Sequence, residues 1–127
     1  MRVGLDLIEI ARIRRALDRY PSFRARCFTE AEREYCDSRP NPAESYAGRF
    51  AGKEAVGKAL GMGVRFTWRE IEIVGRPKPS VRLSGRTARW AERVGAGAID
   101  LSMTHSRELA AAICVVQVED RTRDAGG

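Results

Sequence analysis

The run PAESYAGRFAGKEAVGKALGMG, residues 42–63, constrains this chain most. Its spacing and composition predict one long helix from about Pro42 to Leu60, stopped by Gly61 to Gly63. Three glycines, Gly48, Gly52 and Gly57, sit inside that helix. Each costs up to about 1 kcal/mol relative to alanine, so close approach by another backbone or by a ligand is needed to offset them. The stretch Gly52 to Lys58, GKEAVGK, also fits the letters of a phosphate-binding loop. Such a loop needs a Ser or Thr after the lysine and a buried strand before the first glycine. Here Ala59 follows the lysine and the helix formers PAESYAGRFA precede the glycine, so the match is accidental.

Something else must account for two lysines and a glutamate in so apolar a segment. At about 100° per residue, Glu54 and Lys58 lie about 40° apart on the helix, on the face of Ala47 and Ala51 with Phe50 beside it. Arg49 and Lys53 project together to another side. An i, i+4 Glu–Lys pair is ordinarily a surface bridge worth a few tenths of a kcal/mol. Among alanines and glycines it points instead to something bulky packed above it. Phosphate with a divalent cation satisfies both charges, the carboxylate taking the metal and the ammonium the phosphate oxygens. Mg²⁺ usually takes one or two carboxylates, and Asp6 is the candidate second ligand. An Asp capping a turn and a Glu in a salt bridge is the plainer alternative. His105, the only histidine, stands among Thr104, Ser106 and Ser102, a polar group able to donate to a phosphate or simply to complete a turn.

A chain of 127 residues is the size of one domain, expected over residues 1–120, with a loose polar tail at 121–127. No apolar run approaches a bilayer span and no signal-peptide cleavage site follows the short apolar N-terminus, so a soluble, cytoplasmic protein with no membrane partner is expected. Cys27, Cys36 and Cys114 form no C-x-x-C pair and read as reduced, buried thiols. The net charge of +6 comes mostly from arginine, and Arg12, Arg14, Arg15, Arg19, Arg24 and Arg26 cluster early. That cluster suits an acidic partner or is a solvated helix face.

Elsewhere, RVGLDLIEI alternates Val3, Leu5 and Leu7 against Gly4, Asp6 and Ile8, a short strand with Asp6 off its main apolar face. A helix follows from Ile10, limited by Pro21, and Thr29 with Glu32 forms a capping box for a second. TWREIEIVG reads as a half-buried strand, GRPKPSVRLSG as a turn and strand, and RTARWAERVG as a helix ending at Gly95. AIDLSMTHS with LAAAICVVQVE reads as a strand hairpin. Helices interleaved with strands on short turns predict an α+β domain, helices packed on one face of a mainly antiparallel sheet.

Four ordered blocks, VGLDLIEIARI, CFTEAEREYC, RFAGKEAVGKALGMG and LSMTHSRELAAAICV, together resemble the holo-[acyl-carrier-protein] synthases, the small class of 4′-phosphopantetheinyl transferases. The resemblance covers nearly the whole chain. It implies that fold, Mg²⁺ dependence, and transfer of phosphopantetheine from coenzyme A to a serine of apo acyl carrier protein, releasing 3′,5′-ADP. It implies that Asp6 and Glu54 are the metal ligands, with Glu54 and Lys58 catalytic and Lys58 by the pyrophosphate. Arg49, Thr104, His105 and Ser106 match positions around the coenzyme's 3′-phosphate. The arginine-rich first helix, Arg12 and Arg15, matches the carrier-protein docking surface. A homotrimer is implied too, His105 serving the Asp6 and Glu54 of a neighbouring copy. The serine proton passes to a metal-bound water or a nearby carboxylate. VGRPKPSVRL offers both Pro77 and Pro79 where the family has a Gly-x-Pro turn, which leaves the adenine contacts unassigned. Against this stand a basic nucleic-acid-binding domain, which lacks a binding motif and a stacking platform, and an inactive carrier-binding module, which would lose Asp6 and Glu54.

Overall fold

The computed structural model describes residues 1–62, 67–75 and 78–119. Along them run β1 (Arg2–Glu9), α1 (Ile10–Arg19), α2 (Phe23–Cys27), α3 (Glu30–Asp37), α4 (Pro42–Ala59), β2 (Ile71–Val74), β3 (Ser80–Leu83), α5 (Gly85–Arg93), β4 (Ala96–His105) and β5 (Leu109–Val118). β1, β5 and β4 form an antiparallel sheet in that order, and β2 and β3 form a second, two-stranded one. The expected α+β layout is present, with the strands divided between two sheets. The segment 121–127 and Pro77 lie outside the described residues.

Register explains why α4 is so rich in small residues. Gly4, Asp6 and Ile8 stand opposite Cys114, Ala112 and Ala110, which stand opposite Leu101, Met103 and His105. Side chains alternate along strands, so these positions share one sheet face, and α4 lies across it. Ala47, Ala51 and Ala55 are fully buried there. At Gly4 the two backbones nearly touch: an added Cβ would sit 2.7 Å from the Ala59 nitrogen and 2.9 Å from the Ala55 carbonyl carbon. The expected close approach is therefore real at this crossing, but the glycine that permits it belongs to β1. Within α4, a Cβ at Gly52 would meet Ile73 Cδ1 at 2.6 Å, whereas one at Gly48 would enter open space. GKEAVGK lies wholly inside α4, as the rejection of a phosphate loop requires.

The apolar stripe of β1 is turned the other way. Val3, Leu5 and Leu7 remain 57%, 62% and 62% exposed on the sheet face away from α4, joined by Ile113 at 44%. Gly4 faces the helix because any side chain there would meet the α4 backbone, and strand alternation turns Asp6 and Ile8 the same way.

α1 begins at Ile10 as expected, with Ile10 and Ile13 buried. The short helix α2 just after Pro21 was not anticipated. In α3 both bonds of the capping box form, Glu32 N donating to Thr29 Oγ1 at 3.3 Å and Thr29 N to Glu32 Oε1 at 2.9 Å. The TWREIEIVG strand is shorter than expected: Trp68–Glu70 is a 3₁₀ turn, and β2 starts at Ile71. The reason is Glu70, whose carboxylate caps α5 by accepting from Arg86 N at 3.3 Å, Thr87 N at 3.1 Å and Thr87 Oγ1 at 2.9 Å. α5 ends before Gly95, which adopts φ +77 as an L-residue rarely can. The three cysteines are free and buried, and burial pushes the thiols of Cys36 and Cys114 up to about 12 and about 11. No helix among the described residues is long and apolar enough to cross a membrane.

Candidate active site

Two clusters emerge, one toward each end of α4. The first joins the N-terminal strand to the end of the long helix. Asp6 projects from the helix-facing side of β1, and Lys58 Nζ donates to its Oδ1 at 3.1 Å and to the Leu5 carbonyl at 3.0 Å. Lys58 thus bridges to the strand. The Asp6 side chain is 15% exposed and that of Lys58 50%, so the cluster opens to solvent rather than lying under a packed layer. Glu54, one helical turn before Lys58, completes it. Burial, and next the Asp6 charge, push the Glu54 carboxyl above its ordinary range, and Lys58 offsets part of that rise. Two carboxylates thus converge from positions 48 residues apart in the chain, with an ammonium between charge and solvent.

The donor set suits a hard cation. Among the described residues no group of three or more His, Cys, Asp or Glu side chains converges, so this is a carboxylate pair. Oxygen ligands in that number fit Mg²⁺, which keeps several waters and completes its shell with phosphate.

The second cluster surrounds a cavity of about 400 Å³ beside the N-terminal half of α4, lined among others by Tyr35, Arg39, Glu44, Gly48, Arg49 and His105. Arg49 is 6% exposed, with its guanidinium 4.1 Å from the Tyr35 ring centroid. Its Nε has no hydrogen-bond partner among the described residues. A buried, unpaired guanidinium donor at a cavity wall asks for an acceptor, and an anion is the natural one. His105 Nε2 lies 3.0 Å from Glu44 Oε1, and Thr104 lines the same cavity. Ser106 does not. It sits in the β4–β5 turn, where its hydroxyl accepts from Leu109 N at 3.2 Å. Pro79 and Gly75 form part of the wall.

Glu44 and Glu54 are ten residues apart on α4, about 15 Å along its axis at 1.5 Å per residue. The sequence did not single out Tyr35, Arg39 or Glu44; the available signal was Gly48, an interior glycine one turn after Glu44 and beside Arg49. Lys53 was placed on Arg49's side of the helix, but its complete burial was not anticipated. On α1, Arg12 and Arg15 are both exposed, as a docking surface needs. Arg24 is not free, because its Nε pairs with Asp37 at 3.3 Å.

Comparison with known proteins gives this geometry its context. The family model of the 4′-phosphopantetheinyl transferase superfamily matches residues 2–114. The chain is 44% identical over 122 residues to a holo-[acyl-carrier-protein] synthase of Moorella thermoacetica, covering 92% of this chain and 94% of that protein. It is 45% identical over 120 residues to that of Chlamydia felis, covering 91% and 96%. The structure resembles that of Helicobacter pylori holo-[acyl-carrier-protein] synthase in complex with coenzyme A, with a TM-score of 0.79, 29% identity and coverage of 91% and 99%. With the family model spanning most of its length, this chain belongs to the 4′-phosphopantetheinyl transferase superfamily.

Proposed function

We propose that this protein is a holo-[acyl-carrier-protein] synthase, transferring the 4′-phosphopantetheine arm of coenzyme A to a serine of apo acyl carrier protein. The observation that carries the reading at the level of residues is the convergence of Asp6, Glu54 and Lys58 where β1 crosses α4. In the reaction, the serine oxygen forms a bond to the phosphorus nearest pantetheine. The bond from that phosphorus to the pyrophosphate bridging oxygen breaks, 3′,5′-ADP leaves and the serine proton is released.

Asp6 and Glu54 would hold Mg²⁺, which when bound would supply positive charge at the pyrophosphate. Lys58 is held beside the same carboxylates by its bonds to Asp6 and the Leu5 carbonyl, with half its side chain in solvent, so its ammonium stands where a phosphate oxygen can reach it. The leaving group gains negative charge in the transition state, and a fixed ammonium stabilises that charge more than the ground state. Arg49, His105 and Thr104 take the 3′-phosphate in the second cluster; the buried, unpartnered Arg49 Nε supports this. Ser106 serves that site through the hairpin turn it stabilises.

The two clusters lie toward opposite ends of α4, and a second copy is the source this reading gives for the residues that complete each site. We therefore place each site between copies in a homotrimer, the Asp6 and Glu54 of one facing the Arg49 and His105 of the next. The bare apolar sheet face of Val3, Leu5, Leu7 and Ile113 supports such an assembly, since a patch of this kind is normally covered. Exposed Arg12 and Arg15 on α1 dock the acidic carrier protein. Buried free thiols are compatible with the reducing cytoplasm.

The test is release of 3′,5′-ADP, followed chromatographically, from coenzyme A, Mg²⁺ and apo carrier protein. One equivalent per carrier protein is expected, and none from a carrier whose acceptor serine is alanine. Release that ignores the serine would overturn the reading.

A further inference from the structure

A buried ion pair lies under the cavity wall, outside both clusters. Lys53 and Glu32 have fully buried side chains with Nζ and Oε1 2.7 Å apart. Lys53 Nζ also donates to the Trp68 carbonyl at 2.9 Å and the Ile71 carbonyl at 2.6 Å, which uses all three of its protons. The other carboxylate oxygen, Glu32 Oε2, accepts from Ile73 N at 2.8 Å. Backbone groups two residues apart emerge on the same edge of a strand. β2 is paired with β3 on its other edge, so the ion pair stands where a third strand would be. It fixes β2 from Ile71 to Ile73.

What β2 then leads into is the cavity. Gly75 lines the 400 Å³ space together with Arg49 and His105. Val74 and Gly75 line an adjoining depression of about 380 Å³ with Glu32, Tyr35 and Arg49. Lys53 is also one helical turn beyond Arg49 on α4, so the pair braces two walls of one space. Asp6 and Lys58 are touched by neither partner. Burial lowers the Lys53 pKa, and the Glu32 charge and hydrogen bond offset part of that fall.

We infer that Glu32 and Lys53 are positioning residues for the coenzyme: their ion pair substitutes for a strand beside β2 and holds the Val74–Gly75 wall in place against Arg49. The inference rests on the assignment of this cavity to the coenzyme's nucleotide end. It separates the pair from a purely structural bridge by what its loss affects. Disturbing the wall weakens coenzyme A without touching the carboxylates that run the chemistry or the arginines that dock the carrier.

The experiment compares Glu32→Gln, Arg49→Ala and wild type in steady-state transfer, with thermal melts alongside. Glu32→Gln keeps the shape of the side chain and removes its charge. It is expected to raise the KM for coenzyme A about tenfold, with kcat and the carrier-protein KM within about threefold. Arg49→Ala should raise the same KM. If Arg49→Ala raises it and a folded Glu32→Gln does not, the pair is only structural and the inference fails. If neither moves it, the cavity assignment itself is wrong and both fall. Should Glu32→Gln not fold, the double variant Glu32→Leu/Lys53→Met, which leaves no unpaired charge, takes its place with the same expected split. Should that also fail, hydrogen exchange on wild type decides: 3′,5′-ADP should slow the Val74 and Gly75 amides, and unchanged exchange there would overturn the inference.

Discussion

Gly4→Ala tests the contact on which the proposed metal site depends. The added methyl would meet only backbone: the Ala55 carbonyl oxygen, its carbon at 2.9 Å and the Ala59 nitrogen at 2.7 Å. No side chain can rotate aside, and the Ala55 carbonyl oxygen is the nearest atom, so β1 and α4 must separate by about 1.5 Å to reach ordinary contact. A gap of that size forfeits about half or more of each dispersion contact along the crossing, and overpacking of this kind costs about 1–3 kcal/mol, occasionally more. With no flexible neighbour, the upper end applies, about 3 kcal/mol. For a domain of this length that lowers the melting temperature by about 10–15 °C. Asp6 is two residues along the same strand, on the same face, and moves with it away from Lys58 and Glu54. Differential scanning calorimetry should therefore show the drop, and transfer by the protein that remains folded should fall as well. A variant that melts within about 3 °C of wild type with unchanged kcat would refute the backbone contact, and with it the reason Asp6 faces α4.

Glu54→Gln should separate function from stability. The folded carboxyl is raised, so its contribution to stability is present below the unfolded carboxylate pKa and lost as pH rises through the folded value. Without added metal the variant should accordingly melt above wild type at pH 8, with the difference shrinking towards pH 4, while transfer is abolished; a variant less stable at pH 8 would contradict the crowding of charge at this site. Arg12→Glu should raise the carrier-protein KM by an order of magnitude or more and leave the coenzyme A KM within about twofold, because steering acts on the charged partner; equal effects on both would remove α1 from the docking surface. At coenzyme A concentrations far below the raised KM of Arg49→Ala, mixing Glu54→Gln chains with Arg49→Ala chains during assembly should restore about a quarter of wild-type activity, the fraction of interfaces combining two intact halves in a cyclic oligomer. No recovery from well-mixed oligomers would place each site within one chain.

Much of this was legible in the sequence because it was local. The capping box at Thr29 and Glu32, the helix from Pro42 and the β4–β5 hairpin follow from spacing over a few residues, and all formed. The side of α4 that bears Glu54 and Lys58 follows from 3.6-residue periodicity in the same way. What periodicity could not show was which face of β1 is inside. Hydrophobicity favoured Val3, Leu5 and Leu7, but the tight crossing of α4 selects Gly4, Asp6 and Ile8, a constraint set by distance rather than by polarity. Glu70 was read as a strand residue because its role, capping α5 through backbone amides sixteen and seventeen residues later, leaves no local trace. The burial of Lys53 is similar, since it depends on Glu32 from another helix and on two carbonyls beyond α4. Ser106 matched by position in a motif, yet its hydroxyl is engaged in the turn.

The most direct measurement is the intact mass of apo acyl carrier protein after incubation with coenzyme A, Mg²⁺ and this protein. The account predicts the mass of one phosphopantetheine added at the acceptor serine by wild type, and none by Asp6→Asn or Glu54→Gln in their folded forms. A carrier protein left unmodified by wild type, or modified equally by the two variants, would contradict it.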